Sequence, residues 1–367
     1  MAQRNKQSNK QSNKPHGETR RQFLKSAGVA ATAVIAAPMI LRAIEIPANG
    51  PGSIQGSGNH KYEWMHQWIQ LPDDVKLGNC HGVQEDSQGR IFIHHTGTPS
   101  MLVCDPDGKV IKTWGKEYAG AAHGLQIRKE GNEEFLYLAL TGQHRLVKTT
   151  LDGEVVYDLK YPKEAGLYQD KDGKDSDAKY VPTNVAFAPN GDFYIADGYG
   201  LSYIHRYDIK GNYKNTFAGA GKEPGKTSCP HGIWCDTRGG DAKLVVADRA
   251  NQRLQYFSLE GKHLSFIQGE KDDGIVRLPC HFHERMGDLL IPDLRGRVTI
   301  LDKDNKLITQ LFDNPDAAKR EKNGLPKEQW ADGEFITPHG ATWDRKGNIF
   351  VVEWVKPGRI TKLRRVV

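Results

Sequence analysis

One pattern recurs six times between residues 80 and 341 and leaves few architectures open to the chain. Each copy opens on a short entry: CHGV (Cys80–Val83), AHGL (Ala122–Leu125), TNVA (Thr183–Ala186), PHGI (Pro230–Ile233), CHFH (Cys280–His283) and PHGA (Pro338–Ala341). Each then runs through an apolar stretch and a turn into a second strand-like segment: GRIFIHH, EFLYLAL, GDFYIAD, AKLVVAD, GDLLIPD and GNIFVVE. Short strands punctuated by Gly and Asp, in units of about 40–50 residues, mark the blades of a β-propeller, each a four-stranded sheet facing a central channel. The expected fold class is therefore all-β, a six-bladed β-propeller over residues 61–367. The last unit is short of strands, while Tyr62–Leu71 (YEWMHQWIQL) reads as a strand ahead of the first unit. That N-terminal strand is expected to close the last blade and remove an open edge.

Two insertions break the period: Lys160–Tyr180, rich in Asp and Lys, and Asp313–Ile336, helix-compatible around Ala317–Lys322. Both are expected as loops over a channel mouth. Asp170–Asp177 (DKDGKDSD) has the spacing of a calcium loop but no distal Glu, which favours a solvated acidic loop.

The N-terminus carries a different signal. Thr19–Ser26 (TRRQFLKS) precedes the apolar run Ala27–Leu41 and resembles a bacterial twin-arginine export signal. Fifteen apolar residues fall short of the roughly 20 a membrane helix needs, so no stable span is expected. Residues 1–43 are read as the signal and 44–60, with the Gly/Ser/Pro-rich Pro47–Asn59, as a flexible linker. The resemblance implies the twin-arginine export machinery as a partner and a periplasmic or extracellular location. No clean A-x-A site stands at the right place, so cleavage and an uncleaved anchor both stay open.

The net charge of +6 is no argument for nucleic acid. Residues 1–25 hold seven Lys and Arg against the single acid Glu18, and the remainder is balanced. Five cysteines, Cys80, Cys104, Cys229, Cys235 and Cys280, leave at least one unpaired and assign no bridges.

The residue opening each innermost strand should face the channel, and it reads His81, His123, Asn184, His231, His281 and His339. His123, His231 and His339 are spaced by 108 residues each time, so they stand at equivalent places in the second, fourth and sixth blades. Alternate blades of a six-bladed ring lie about a third of a turn apart, so these three imidazoles converge on the axis. Three imidazoles with a fourth direction open suit a catalytic zinc. A lone His at a blade entry is more simply a hydrogen-bonded channel residue, which is the plain reading for His81, His281 and His283. The three in register favour metal.

Ala247–Lys262 (ADRANQRLQYFSLEGK), echoed by Gly142–Glu154, resembles the NHL-repeat propellers. Within them the chain resembles the peptidyl-α-hydroxyglycine α-amidating lyase domain of peptidylglycine α-amidating enzymes. That family's three zinc histidines fall on His123, His231 and His339. Its catalytic tyrosine falls on Tyr199 of Ala196–Tyr199 (ADGY), and an active-site arginine on Arg249 of Val246–Arg249 (VADR). The resemblance implies cleavage of a peptidyl-α-hydroxyglycine, or a related α-hydroxy amide, to an amide and glyoxylate. The partner would be a small-molecule or peptide substrate. Tyr199, at a hairpin turn where Gly or Asn is easier, would then be there to reach the channel mouth. Alone, it reads equally as an aromatic packing on a neighbouring blade, and Arg249 as a turn residue paired with an acid.

Three departures stand out. The stretch matching the family's second arginine is Ile91–Gly97 (IFIHHTG), without Arg; the position of its structural-calcium Asp is Gly340; and its cysteine after the tyrosine is Gly200. Calcium is not expected at that position. The other reading is a non-catalytic propeller binding a protein or glycan partner. A lactonase-type hydrolase is disfavoured because none of the six entry residues is acidic.

Overall fold

The computed structural model describes residues 52–269 and 274–366. The twin-arginine stretch and its apolar continuation lie outside the described residues.

Six antiparallel sheets form the ring. Their innermost strands are Cys80–Glu85, Ala122–Glu130, Asn184–Phe187, Pro230–Asp236, His283–Arg285 and Pro338–Trp343. In five sheets the four strands follow sequence order outward from the axis. The sixth has five strands: His60–Met65 pairs with Arg359–Val366, and Ile54–Ser57 adds outside it. Pro338–Trp343 of the sixth blade packs beside Cys80–Glu85 of the first, so the ring is closed.

The closing strand thus exists, but over His60–Met65 rather than Tyr62–Leu71. It stops where Gln67 takes a left-handed φ of 48°, and the chain then turns toward the first blade. Part of the segment expected as a linker is also structured. Ser57 pairs with His60 across the two-residue turn Gly58-Asn59, with Gly58 at φ 51°. A Gly-Asn hairpin turn outweighs the Gly/Ser-rich composition that suggested flexibility.

The core lies in the seams between blades. Phe92, Met101, Leu136 and Leu138 fill the seam of the first and second blades, and Ile93, Val352 and Ile360 that of the sixth and first. Tyr62 and Trp64 of the closing strand join Val298, Ile300 and Trp343 between the fifth and sixth. Each fully buried side chain of this size contributes about 1.5–3 kcal/mol, so the hydrophobic seams, more than the pairing within a blade, hold the ring.

Ala317–Lys322 forms turns rather than helix. Glu321 sits at φ 62° and donates its N–H to the Ile336 carbonyl, which ends any helical path. Asp170 spends its carboxylate on the N–H groups of Asp172 and Lys174 in its own exposed turn, in keeping with a solvated loop. All five cysteines are free thiols. Among the described residues no helix is long and apolar enough to cross a membrane.

Candidate metal centre and its tyrosine

At the entry of the second, fourth and sixth blades the inner strand carries a register shift at the histidine, spanning Ala122/Leu125, Pro230/Gly232 and Pro338/Gly340. Such bulges re-aim a side chain, here toward the axis. The centroids of His123, His231 and His339 form a nearly equilateral triangle with sides of 4.7, 4.7 and 4.8 Å.

Each ring is oriented by the next blade. His123 Nδ1 donates to the Thr183 carbonyl at 2.7 Å, His231 Nδ1 to the Cys280 carbonyl at 2.8 Å, and His339 Nδ1 to the His81 carbonyl at 3.0 Å. With the proton on Nδ1, every Nε2 presents a lone pair to the axis, the arrangement that metal-ligating histidines use.

The glycine after each histidine follows from the same contact. A Cβ on Gly124 would stand 2.4 Å from the Thr183 oxygen, and one on Gly232 or Gly340 2.5 Å from the Cys280 or His81 oxygen. Only glycine lets that carbonyl come close enough to receive the imidazole, so the recurring His-Gly pair is one device. Asn184 and His281 lack it, being followed by Val185 and Phe282.

His123 Nε2 and His231 Nε2 are 3.1 Å apart. Burial holds His123 down to about 3 and lowers His231 and His339 well below the usual imidazole range, so all three are neutral. Lone pairs this close repel unless a proton or cation lies between them. Nitrogens on a tetrahedral zinc at 2.0–2.1 Å are about 3.3 Å apart, so the residues present fit such an ion. Ligand-type atoms of His231, Cys280 and His339 also lie within 4.8 Å of one another, as do those of His81, His123 and His339. The thiol of Cys280 is pushed up to about 12 by burial and is the weaker donor.

Tyr199 caps the triangle. Its hydroxyl lies 3.0 Å from His231 Nε2 and 3.3 Å from His123 Nε2, and accepts a hydrogen bond from Arg249 Nη2 at 3.1 Å. The residue is 43 % exposed, so one side of its ring faces solvent while the hydroxyl points inward. Burial pushes the phenol up to about 12, with the Arg249 guanidinium pulling against it. The sequence therefore named five residues that the fold does bring together.

The turn carrying Tyr199 is held from below. The fully buried Asp197 accepts N–H bonds from Val181 and Leu201 at 2.7 and 2.6 Å and a bond from the Tyr168 hydroxyl at 2.8 Å. A Cβ on Gly198 would meet Thr183 Oγ1 at 2.5 Å, and one on Gly200 the Asp197 carboxylate at 2.0 Å, so no other residue fits beside the tyrosine. Tyr168 comes from the first insertion, which buttresses the site rather than only covering it. Sequence reasoning missed Asp197, Tyr168 and the three orienting carbonyls. The repeated Gly after His, and the acid ending the second strand in ADG, VADR, IPD and VVE, were the available signals.

The remaining histidines divide. His281 is engaged on both sides, Nδ1 by the Asn184 amide and Nε2 at 3.2 Å by the Gln126 amide, and His283 Nδ1 accepts the Trp343 N–H at 3.2 Å. Both are hydrogen-bonded within the channel wall. His95, in the stretch without arginine, accepts the N–H groups of Gly78 and Gly97 on Nδ1 at 3.2 and 3.0 Å, the same kind of service that Asp197 gives its blade.

No protein-family model matches the chain. Over 237 residues it is 27% identical to peptidyl-alpha-hydroxyglycine alpha-amidating lyase 1 of Drosophila melanogaster, covering 54% of this chain and 41% of the relative. Over 249 residues it is 32% identical to peptidyl-glycine alpha-amidating monooxygenase A of Xenopus laevis, covering 56% of this chain and 25% of the relative. The chain thus spans less than half the length of these relatives. Among solved structures, virginiamycin B lyase from Staphylococcus aureus superimposes with a TM-score of 0.53 at 15% identity, over 80% of this chain and 98% of that one, a likeness of fold.

Proposed function

We propose that the protein is a zinc-dependent lyase that cleaves a peptidyl-α-hydroxyglycine, or a related α-hydroxy amide, to the amide and glyoxylate. The observation that carries this reading is the Tyr199 hydroxyl, in contact with two of three inward-facing Nε2 atoms and with Arg249. The similarity to relatives named as amidating lyases supports the substrate class.

His123, His231 and His339 would hold the ion. When bound, zinc supplies Lewis-acid polarisation of the substrate hydroxyl. Tyr199, as phenolate, takes the hydroxyl proton while the C–N bond breaks; the electrons of that bond pass to nitrogen, the Tyr199 phenol returns the proton to it so that it leaves as the amide, and the carbon becomes the aldehyde of glyoxylate. Arg249 stabilises the phenolate through its hydrogen bond and by lying 5.2 Å over the ring. The seam-locked strands and the Asp197 turn fix these groups before substrate arrives.

Export through the twin-arginine route, to a periplasmic or extracellular site, belongs to the same proposal and rests on Thr19–Leu41 alone. The test is elemental analysis of the exported protein followed by a glyoxylate-release assay with a peptidyl-α-hydroxyglycine. One zinc per chain with glyoxylate release is expected; zinc-loaded protein that releases none sinks the reaction.

A further inference from the structure

Four histidines open a blade and are followed by glycine, yet His81 is held unlike the other three. A Cβ on Gly82 would meet the Leu125 side chain at 2.5 Å and the His123 carbonyl oxygen of the next blade only at 3.3 Å, against 2.4–2.5 Å at Gly124, Gly232 and Gly340. The carbonyl that receives Nδ1 of His123, His231 and His339 thus stands farther off in the first blade. His81 Nδ1 instead faces the axis, 3.3 Å from His339 Nε2. The ring is 7% exposed, with its centroid 4.4 Å from that of His339 and 4.8 Å from that of His123. Ligand-type atoms of these three residues fall within one 4.8 Å cluster.

We propose that His81 is a fourth protein ligand of the metal centre, closing through Nδ1 the position a substrate oxygen would use. This rests on the metal reading above and adds to it. The two short imidazole–imidazole edges, His123–His231 at 3.1 Å and His81–His339 at 3.3 Å, involve four different rings. Both match the edge of about 3.3 Å of a tetrahedral four-nitrogen zinc site. Tyr199 stands on the first edge and leaves the second to His81. His281 cannot take this place because Asn184 and Gln126 engage both of its nitrogens. The resting centre is then closed in the manner of a structural site, and substrate gains access only in competition with His81.

The experiment uses the full chain, stripped and reloaded with zinc or cobalt(II). X-ray absorption on the zinc form of the unsubstituted protein should count four nitrogens, and three nitrogens with one oxygen would overturn the proposal. His81→Ala should weaken zinc at least about tenfold against a chromophoric chelator and shift the visible cobalt spectrum as oxygen replaces nitrogen. His81→Asn serves as the second variant if the alanine form loses its circular dichroism spectrum. Unchanged affinity and an unchanged cobalt spectrum in a folded variant would overturn the role of His81 while leaving the centre intact, provided His123→Ala abolishes binding. If the unsubstituted chain binds no metal at all, both this proposal and the zinc in the proposed function fall together.

Discussion

The Tyr199 hydroxyl lies 3.0 Å from His231 Nε2, although the two residues sit on neighbouring blades and on different kinds of element, a turn and an inner strand. A phenol placed there is at hand for whatever the imidazoles polarise. Tyr199→Phe removes the oxygen and keeps the ring, so metal content should stay at the unsubstituted level while kcat falls by about 10²–10⁴. Full turnover in this variant would remove Tyr199 as the base.

Arg249 acts on Tyr199 by charge. Burial raises the phenol and the guanidinium lowers it, so Arg249→Gln should drive the phenol still higher. In the proposed reaction the base works as phenolate, so the alkaline rise of the kcat–pH profile should move to higher pH. A profile that falls in height without moving would mean that Arg249 serves the substrate and not the tyrosine.

Gly232 touches no ligand atom of the site, yet its Cβ position lies 2.5 Å from the carbonyl that orients His231. Gly232→Ala should destabilise the fold by about 1–3 kcal/mol and lower zinc affinity in the same variant. Calorimetry and chelator competition measure the two effects. Lost stability with unchanged affinity would show that the carbonyl is not needed to aim the ring.

Buried histidines make the propeller acid-labile. Burial holds His205 down to about 3 and His95 and His283 to about 4. Unfolded histidines titrate near 6.5, so below that pH the unfolded chain binds protons that the folded one refuses. The stability these groups contribute is complete above about pH 6.5 and is lost as pH falls toward 4, by up to about 1.4 kcal/mol per pH unit for each. Asp197 and Glu353, whose carboxyls burial raises, act in the opposite sense. The melting temperature of metal-free protein should decline steadily from pH 6.5 to 4.5, and a flat profile would contradict the burial of these rings.

The ring of blades and the three in-register histidines were legible because both are periodic: repetition in sequence becomes rotation in space, and 108 residues is two blades. Tyr199 and Arg249 carry no period, and only resemblance to a family marked them. What stayed hidden depends on contacts between segments far apart in the chain. Nothing local to Thr183 says that its carbonyl will meet His123, and nothing local to Tyr168 says that it will brace Asp197. The Gly58-Asn59 hairpin was hidden differently, because a composition typical of linkers masked a two-residue turn.

The three inward-facing Nε2 atoms belong to the second, fourth and sixth blades, and the last of these is completed by the pairing of His60–Met65 with Arg359–Val366. The ion proposed for their centre would therefore be a bolt across the ring as well as a reagent. At a thousandfold excess over its dissociation constant, it would add about 4 kcal/mol against any motion that springs the clasp. Loss of metal and loosening of the closing strand should then be a single event, observable as faster amide exchange along Tyr62–Trp64, far from the axis itself.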